Sequence, residues 1–424
     1  MATAGQVMSA NANHGTSAGT SMFDLPHDFD ANTFDDMLAW AVTAGASDLK
    51  IQSGDHVNAH IHGRWIPITK RRLENAEVEF ILNTKYGPTA VSRLDQGESL
   101  DFRLSAVKTL DNVLGFRANA TRSRVGALAR GISITARVIP GLPPKWSTLG
   151  VEPELDEAFF PEYGLILVVG VTGSGKSTLM ASSVRQRLEG VTPVSVGTYE
   201  DPVEFTYGDL GMGRMPLVSQ VEIGQGSDLR AFDRAAPNAM RRKFDVIIAG
   251  ELRDRQSIEA GLELASTGHA VLATLHVETP AQAVDRIVSF FPHDSQPAIA
   301  SKLRSALRVV VAQKLARTTQ GDRVAIRSWL VFDRDVKDRM GTVPFHEWPR
   351  MLSGLVRDRQ SAFEQTAIGL LLKGVIDLPT FCSVSEMTPR EARAYIQEHA
   401  GPDAVSPLTQ TLSSATPQQE PAYG

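Results

Sequence analysis

The sequence predicts a chain of class α/β in two parts: an N-terminal α+β domain with an antiparallel sheet, then a P-loop domain with a mainly parallel sheet, followed by C-terminal helices. Three observations predict it. Before residue 140, apolar and polar residues alternate in several short runs, the period of half-buried strands. Beyond residue 160, short continuous apolar runs alternate with helical segments, the pattern of a parallel sheet covered on both faces. Between the two patterns, Gly164 to Thr178 reads GLILVVGVTGSGKST, a buried strand running into a complete P-loop.

Residues 1–30 are rich in Ala, Ser, Gly, Thr and Asn and read as a disordered tail. The first domain spans 31–140. Phe34, Leu38, Trp40 and Ala41 mark a helix ending near Gly45, and Leu49 and Ile51 start a strand. Val57, Ala59 and Ile61 alternate, Gly63 turns, and Trp65, Ile66 and Ile68 return as a hairpin. Val78, Ile81 and Leu82 share one helix face. Three further alternations follow: Leu100, Phe102, Leu104; Leu114, Phe116, Ala118, Ala120; and Ile132, Ile134, Ala136, Val138. This period puts Arg117 and Arg137 on the polar face of their strands. The connecting segment adds Arg122, Arg124 and Arg130. A planar guanidinium binds phosphate oxygens in pairs, although a solvated polar face accounts for any single one of these residues.

Residues 141–160 read as a linker, stiffened by Pro140, Pro143 and Pro144. The P-loop domain spans 161–345, with strands at Leu165–Val169, Val194–Thr198, Asp245–Ala249, Val271–Leu275 and Ile326–Phe332. A helix from Pro280 to Phe291 is signalled by Thr279 as N-cap, Pro280 in the first turn and Gln282 closing a capping box. Residues 346–400 turn helical, with a second capping box at Thr388-Pro389-Arg390-Glu391. Residues 401–424 are rich in Pro, Ser, Thr and Gln and read as a disordered tail.

The P-loop residues each answer a need of phosphate binding. Gly170, Gly173 and Gly175 allow backbone angles that turn successive N–H groups toward phosphate oxygens. Val171, Thr172, Ser174 and Thr178 complete the cradle, and the helix starting near Gly175 adds its positive end. Lys176 reaches the β- and γ-phosphates, and the Ser177 hydroxyl holds Mg²⁺. Strand Asp245–Ala249 ends in Gly250-Glu251, an acid placed to support the metal. Strand Val194–Thr198 ends in Tyr199-Glu200-Asp201-Pro202-Val203-Glu204, an acidic cluster at a strand's carboxyl end, where open α/β sheets bind ligands. One of these acids orients or deprotonates the attacking water. His269 precedes and His276 follows strand Val271–Leu275. A His beside a γ-phosphate can donate a hydrogen bond to it. No His/Cys/Asp cluster has transition-metal spacing.

Composition narrows the partners. Among 424 residues the net charge is −5, so no strongly basic face advertises nucleic acid. The single Cys382 excludes a disulfide framework and a four-Cys zinc site within one chain. The longest apolar runs fall far short of a membrane span, and the first 22 residues lack the basic start and apolar segment of a signal peptide.

The order GVTGSGKST, TYEDPVEF, SQVEIG, FDVIIAGELRD and STGHAVLATLHVETP resembles the secretion-ATPase superfamily of type II and type IV secretion and pilus-retraction ATPases. ASDLKIQSG and FRANATRSR in the first domain also resemble it. GISITARVIP, TLGVEPEL and RVAIRSWLVFD look most like the type IVB secretion and conjugation branch (DotB- and TraJ-like). The resemblance implies a PAS-like first domain and a RecA-like P-loop domain, with nucleotide between them. It implies that Lys176, Ser177 and Thr178 form the Walker A core, that Glu200 is the catalytic carboxylate with Glu204 nearby, and that Glu251 is the Walker B acid with Arg253 following. His269 and His276 become a paired His box, and Arg124, Arg130 and Arg137 phosphate-contacting arginines. ATP and Mg²⁺ are the implied cofactors. Tyr199, where the family usually has a β-branched residue, and Phe244, where it has proline, depart from the pattern without removing a catalytic group.

The expected protein is therefore a homohexameric, cytoplasmic ATPase held at the inner membrane through secretion or conjugation components, without inserting into the bilayer. A pilus retraction or assembly ATPase, a RecA-like DNA translocase and a nucleotide-gated scaffold are the alternatives.

Overall fold

A computed structural model describes residues 22–400, apart from 62, 110, 111, 127, 140, 209, 211–216, 224–228 and 230–233. The expected tails therefore lie outside the described residues, except for residues 22–30. That stretch is not tail. The Phe23 N–H donates to the Ile68 carbonyl at 2.7 Å, the Phe23 ring meets Trp40 edge-on, and Leu25 is buried. The two large apolar side chains outweigh the polar composition around them.

The chain divides into two units, Met1–Ile139 and Pro140–Gly424. In the first, helix α1 (Ala31–Thr43) precedes β1 (Ala46–Gln52), β2 (Asn58–Ile61) and β3 (Arg64–Pro67). Helices α2 (Asn75–Lys85) and α3 (Ala90–Asp95) lead to β4 (Leu100–Thr109), β5 (Asn112–Val125) and β6 (Leu128–Val138). The strands form one antiparallel sheet in the order β3-β2-β1-β6-β5-β4. Alternate residues such as Leu49, Ile51, Phe116, Ala118, Ile134 and Ala136 pack against Phe34 and Leu38 of α1 and Val78 and Ile81 of α2. On the other face, Arg103, Arg117 and Arg137 stand in register on β4, β5 and β6.

The segment expected to connect two strands through Arg122, Arg124 and Arg130 is instead the far end of the β5–β6 hairpin. Arg122 does not join a solvated polar face. Its guanidinium reaches Asp95 at 3.0 Å and Glu79 at 3.4 Å, beside the helices.

The second unit begins with α4 (Pro153–Ala158), β7 (Gly164–Val169), α5 (Lys176–Leu188), β8 (Val196–Glu200) and β9 (Val218–Glu222). It continues with α6 (Ala235–Arg241), β10 (Val246–Glu251), α7 (Arg255–Ser266), β11 (Ala270–Leu275), α8 (Pro280–Ser289) and α9 (Gln296–Ala306). Strands β12 (Leu307–Arg317) and β13 (Arg323–Val331) follow, then α10 (Arg334–Thr342), α11 (Trp348–Asp358), α12 (Phe363–Leu372), α13 (Leu378–Ser385) and α14 (Pro389–Ala400). The sheet runs β13-β12-β7-β11-β10-β8-β9, parallel except for the β12–β13 pair. All six residues of β7 and of β11 are buried, as a sheet covered on both faces requires.

Helix α8 starts on the capping box read in the sequence. The Thr279 hydroxyl accepts from the Gln282 N–H at 3.2 Å, and the Gln282 side chain accepts from the Thr279 N–H at 3.2 Å. The box at Thr388 and Glu391 closes in the same way before α14. Phe244 is accommodated at a bare position of β8, since a Cβ on Gly197 would meet the Phe244 ring at 2.5 Å. Tyr199 is buried, and its hydroxyl donates to Asn238 at 2.8 Å. Among the described residues, no helix is long and apolar enough to cross a membrane.

Candidate nucleotide site

Strand β7 ends at Val169 and α5 begins at Lys176, so the P-loop spans the gap at the carboxyl edge of the sheet. Two glycines are required by their surroundings. Gly170 has φ +145°, and a Cβ there would meet the Gln313 carbonyl oxygen at 2.5 Å. Gly175 has φ +85°, and a Cβ there would meet the Gln313 side-chain nitrogen at 2.8 Å. Lys176 folds over the loop and donates to the Gly170 and Val171 carbonyls at 2.8 and 2.9 Å. Burial holds its ammonium below the ordinary lysine range, while the charges of Glu251 and Glu204 pull it back up. Lys176, Glu204 and Glu251 thus share one electrostatic neighbourhood.

Strand β8 delivers Glu200 beside them. Burial pushes its carboxyl up to about 7, and the charges of Glu204 and Glu222 act in the same direction. The nearby Thr198 hydroxyl and Glu204 N–H oppose the rise. Glu222 sits directly opposite Glu200 across the β8–β9 pair. A carboxyl that titrates near neutrality is suited to taking a proton from water at working pH. Burial, with Glu200 as a further cause, also raises the Tyr207 hydroxyl well above its ordinary value.

Strand β10 carries Glu251. Its two oxygens are held by Arg253 Nε at 2.8 Å and His276 Nε2 at 3.2 Å. Arg253 also reaches Asp201 at 3.1 Å. The path Asp201–Arg253–Glu251–His276 therefore ties together the carboxyl ends of β8, β10 and β11. Ser177, at the start of α5, and Glu251 offer the hydroxyl and carboxylate oxygens that Mg²⁺ takes directly or through water, so the donor set fits that metal.

His269 is not brought to this place. It precedes β11, at the end of the sheet opposite the P-loop, and its carbonyl accepts from the Gly164 N–H at 2.9 Å. Its ring lies 3.2 Å from the Leu264 carbonyl and the Thr267 hydroxyl. The strand between the two histidines, at about 3.3 Å per residue, separates them by roughly 20 Å, so they cannot act as a pair within one chain.

Arg124, Arg130 and Arg137 belong to the first unit. Arg130 pairs with Asp95 at 3.0 Å and Arg137 with Asp48 at 2.8 Å; both side chains remain largely exposed. Arg124 is exposed near the end of β5.

A cavity of about 910 Å³ opens beside the loop, between Gly170–Ser174 and the β12–β13 pair, and extends to Ser383, Val384 and Glu386 near the end of α13. Lys314, Arg317 and Arg323 line it. The Lys314 ammonium binds the Val384 carbonyl at 3.0 Å and the Glu386 carboxylate at 2.8 Å. None of these residues carries a motif. The available signal was the apolar run Val309–Ala312, which marks a strand beside the P-loop strand.

Comparison with known proteins follows the same lines. A model of the family described as "Type II/IV secretion system protein" matches residues 31–341. The crystal structure of the Legionella pneumophila ATPase DotB superposes with a TM-score of 0.76 at 35% identity, covering 86% of this chain and 99% of that one. The pilus retraction motor PilT, solved with bound ADP, superposes at 0.71 with 26% identity, covering 84% of this chain and 98% of that one. The type IV pilus ATPase PilU of Pseudomonas aeruginosa is 29% identical over 92% of this chain and 98% of its own length.

Proposed function

From the premise that this chain belongs to the type II/IV secretion system protein family and is an ATPase, we propose that it works as a homohexameric motor of a type IVB secretion or conjugative transfer apparatus. One observation carries the chemical part. The P-loop, the acidic box, Glu251 and His276 meet at adjacent strand ends, with Lys176 under the influence of Glu204 and Glu251.

In this reading, loop amides from Gly170 to Thr178 bind the phosphates of ATP, and Lys176 leaves the loop carbonyls for the β- and γ-phosphates. Glu200 accepts the proton of the attacking water. Glu251, steadied by Arg253 and His276, would face the metal when it is bound, and His276 would donate toward the γ-phosphate. Ser177 and Glu251 would hold Mg²⁺, which when bound would supply charge neutralisation for the phosphates. Arg124, Arg130 and Arg137 are the candidate phosphate-contacting arginines in this reading. Phosphoryl transfer needs positioning and charge stabilisation more than covalent chemistry, and these groups supply both. Hydrolysis then biases the chain between two conformations that drive the apparatus. The motor acts from the cytoplasm, attached to inner-membrane components rather than to lipid.

The DotB similarity favours the type IVB branch. The similarity of PilU over nearly the whole chain favours a pilus motor as the second reading. Purified protein should hydrolyse ATP in a Mg²⁺-dependent manner, and Lys176→Ala should abolish turnover. Undiminished hydrolysis by that variant would remove the P-loop from the mechanism. Copurification with channel components or with a pilus platform decides between the two machines.

A further inference from the structure

The P-loop rests on β12 through one side chain. The Gln313 amide donates to the Ser174 carbonyl at 2.8 Å in the buried interior. The same residue crowds both glycines: a Cβ at Gly170 would meet its carbonyl oxygen at 2.5 Å, beside the Ser174 hydroxyl at 2.6 Å, and a Cβ at Gly175 would meet its side-chain nitrogen at 2.8 Å. Its amide oxygen accepts from Arg327 Nε at 2.9 Å, and the two residues face each other across the β12–β13 pair. Arg327 is 1% exposed, although it carries a full charge. Its remaining nitrogens donate to the Leu149 carbonyl at 3.0 Å, the Gly150 carbonyl at 3.2 Å and the Glu152 carboxylate at 3.2 Å. An unbroken hydrogen-bonded path therefore runs from the loop through the buried Gln313 and Arg327 to residues 149–152 nearer the surface, which follow the first unit in sequence.

The chemistry of the path is directional. Ser174 C=O and Gly175 N–H are the two ends of one planar peptide unit. In a P-loop the N–H side faces phosphate, so any rotation that aligns it must turn the carbonyl held by Gln313. Gln313 can serve both neighbours in one orientation only, with its NH₂ toward the carbonyl and its oxygen toward the guanidinium. Arg327 has one charged partner; its other contacts are neutral acceptors, two of them in the 149–152 segment. An apolar pair at these facing positions would fill the interior without desolvating a charge, so packing alone does not account for it.

We infer that Gln313 and Arg327 are positioning residues that couple occupancy of the P-loop to the conformation of residues 149–152. The coupling is reciprocal: whatever moves that segment changes the loop's affinity for phosphates. The inference rests on the ATPase reading, and binding of a fluorescent ADP analogue by the wild-type chain tests that reading separately.

Hydrogen–deuterium exchange of a peptide covering residues 145–160, with and without ADP, tests the coupling. In the wild-type chain ADP should change its exchange rate by at least about fivefold. Gln313→Met keeps the bulk and loses both polar contacts. It should bind ADP about tenfold more weakly, and at saturating ADP the 145–160 response should fall below about twofold. Arg327→Lys keeps the charge and loses the fork, and serves if the first variant does not fold. It should retain ADP protection of the P-loop peptide while the 145–160 response disappears. An unchanged 145–160 response in the folded variants would overturn the inference. So would a wild-type chain that binds the ADP analogue with no response in that peptide. A wild-type chain that binds no nucleotide would overturn the ATPase reading and the inference together.

Discussion

Replacing Glu200 with Gln separates the cost of its charge from its use. The folded chain holds the Glu200 proton up to about pH 7, against an ordinary value of 4.5. An unfolded chain releases that proton near the ordinary value, so stability falls as pH rises from about 4.5 to 7 and the full penalty applies above that. A shift of this size corresponds to about 3 kcal/mol at about 1.4 kcal/mol per unit. Contact with solvent at the side chain's edge makes that figure a ceiling. Gln carries no charge, so Glu200→Gln should melt several degrees above wild type at pH 8, given about 2–4 °C per kcal/mol for a domain of this size. The gain should vanish near pH 4.5, where wild type is protonated too. Turnover at pH 8 should meanwhile fall by about 10²-fold or more, while ADP affinity holds. Thermal melts at the two pH values and a phosphate-release assay read both effects. Equal destabilisation of the variant at both pH values would refute the argument that the site holds this carboxylate against its preferred state.

Other perturbations have equally definite outcomes. His276→Ala frees one oxygen of Glu251 and should lower kcat about tenfold, with little change in melting temperature because the ring is half exposed. Gly170→Ala drives a methyl group against the Gln313 carbonyl at a left-handed φ and should cost about 2 kcal/mol or more, with loss of nucleotide binding in a fluorescence titration. Thr279→Ala removes the cap of α8 and should cost about 1 kcal/mol in denaturant unfolding with turnover intact.

What was legible in the sequence followed from periodicity and punctuation. The hairpin around Gly63, the P-loop strand and the Thr279 cap each carry a local signal, and each stands where that signal puts it. Strand β12 was missed because Ala306 passes into Leu307 with no Gly or Pro between helix and strand, and a short apolar run does not distinguish the two. Strand β9 was missed because only Val221 of its five residues is buried. Arg122 was misplaced because its carboxylate partners come from helices more than twenty residues upstream. The separation of His269 from His276 is legible in principle, since the run Val271–Leu275 between them reads as a strand, but their adjacency in one motif hides the length of that strand. The facing of Glu200 with Glu222, and of Gln313 with Arg327, depends on the register of β8 with β9 and of β12 with β13, which the periodicity of a single strand does not encode.

The stretch that matches the family stops at residue 341, yet Ser383, Val384 and Glu386 wall the cavity beside the loop, fastened there by Lys314. A shortened gene product ending at residue 376 would retain every diagnostic signature and still present a breached compartment. Counting signatures in such a homologue would declare it competent; only the far helices reveal whether its chamber is whole.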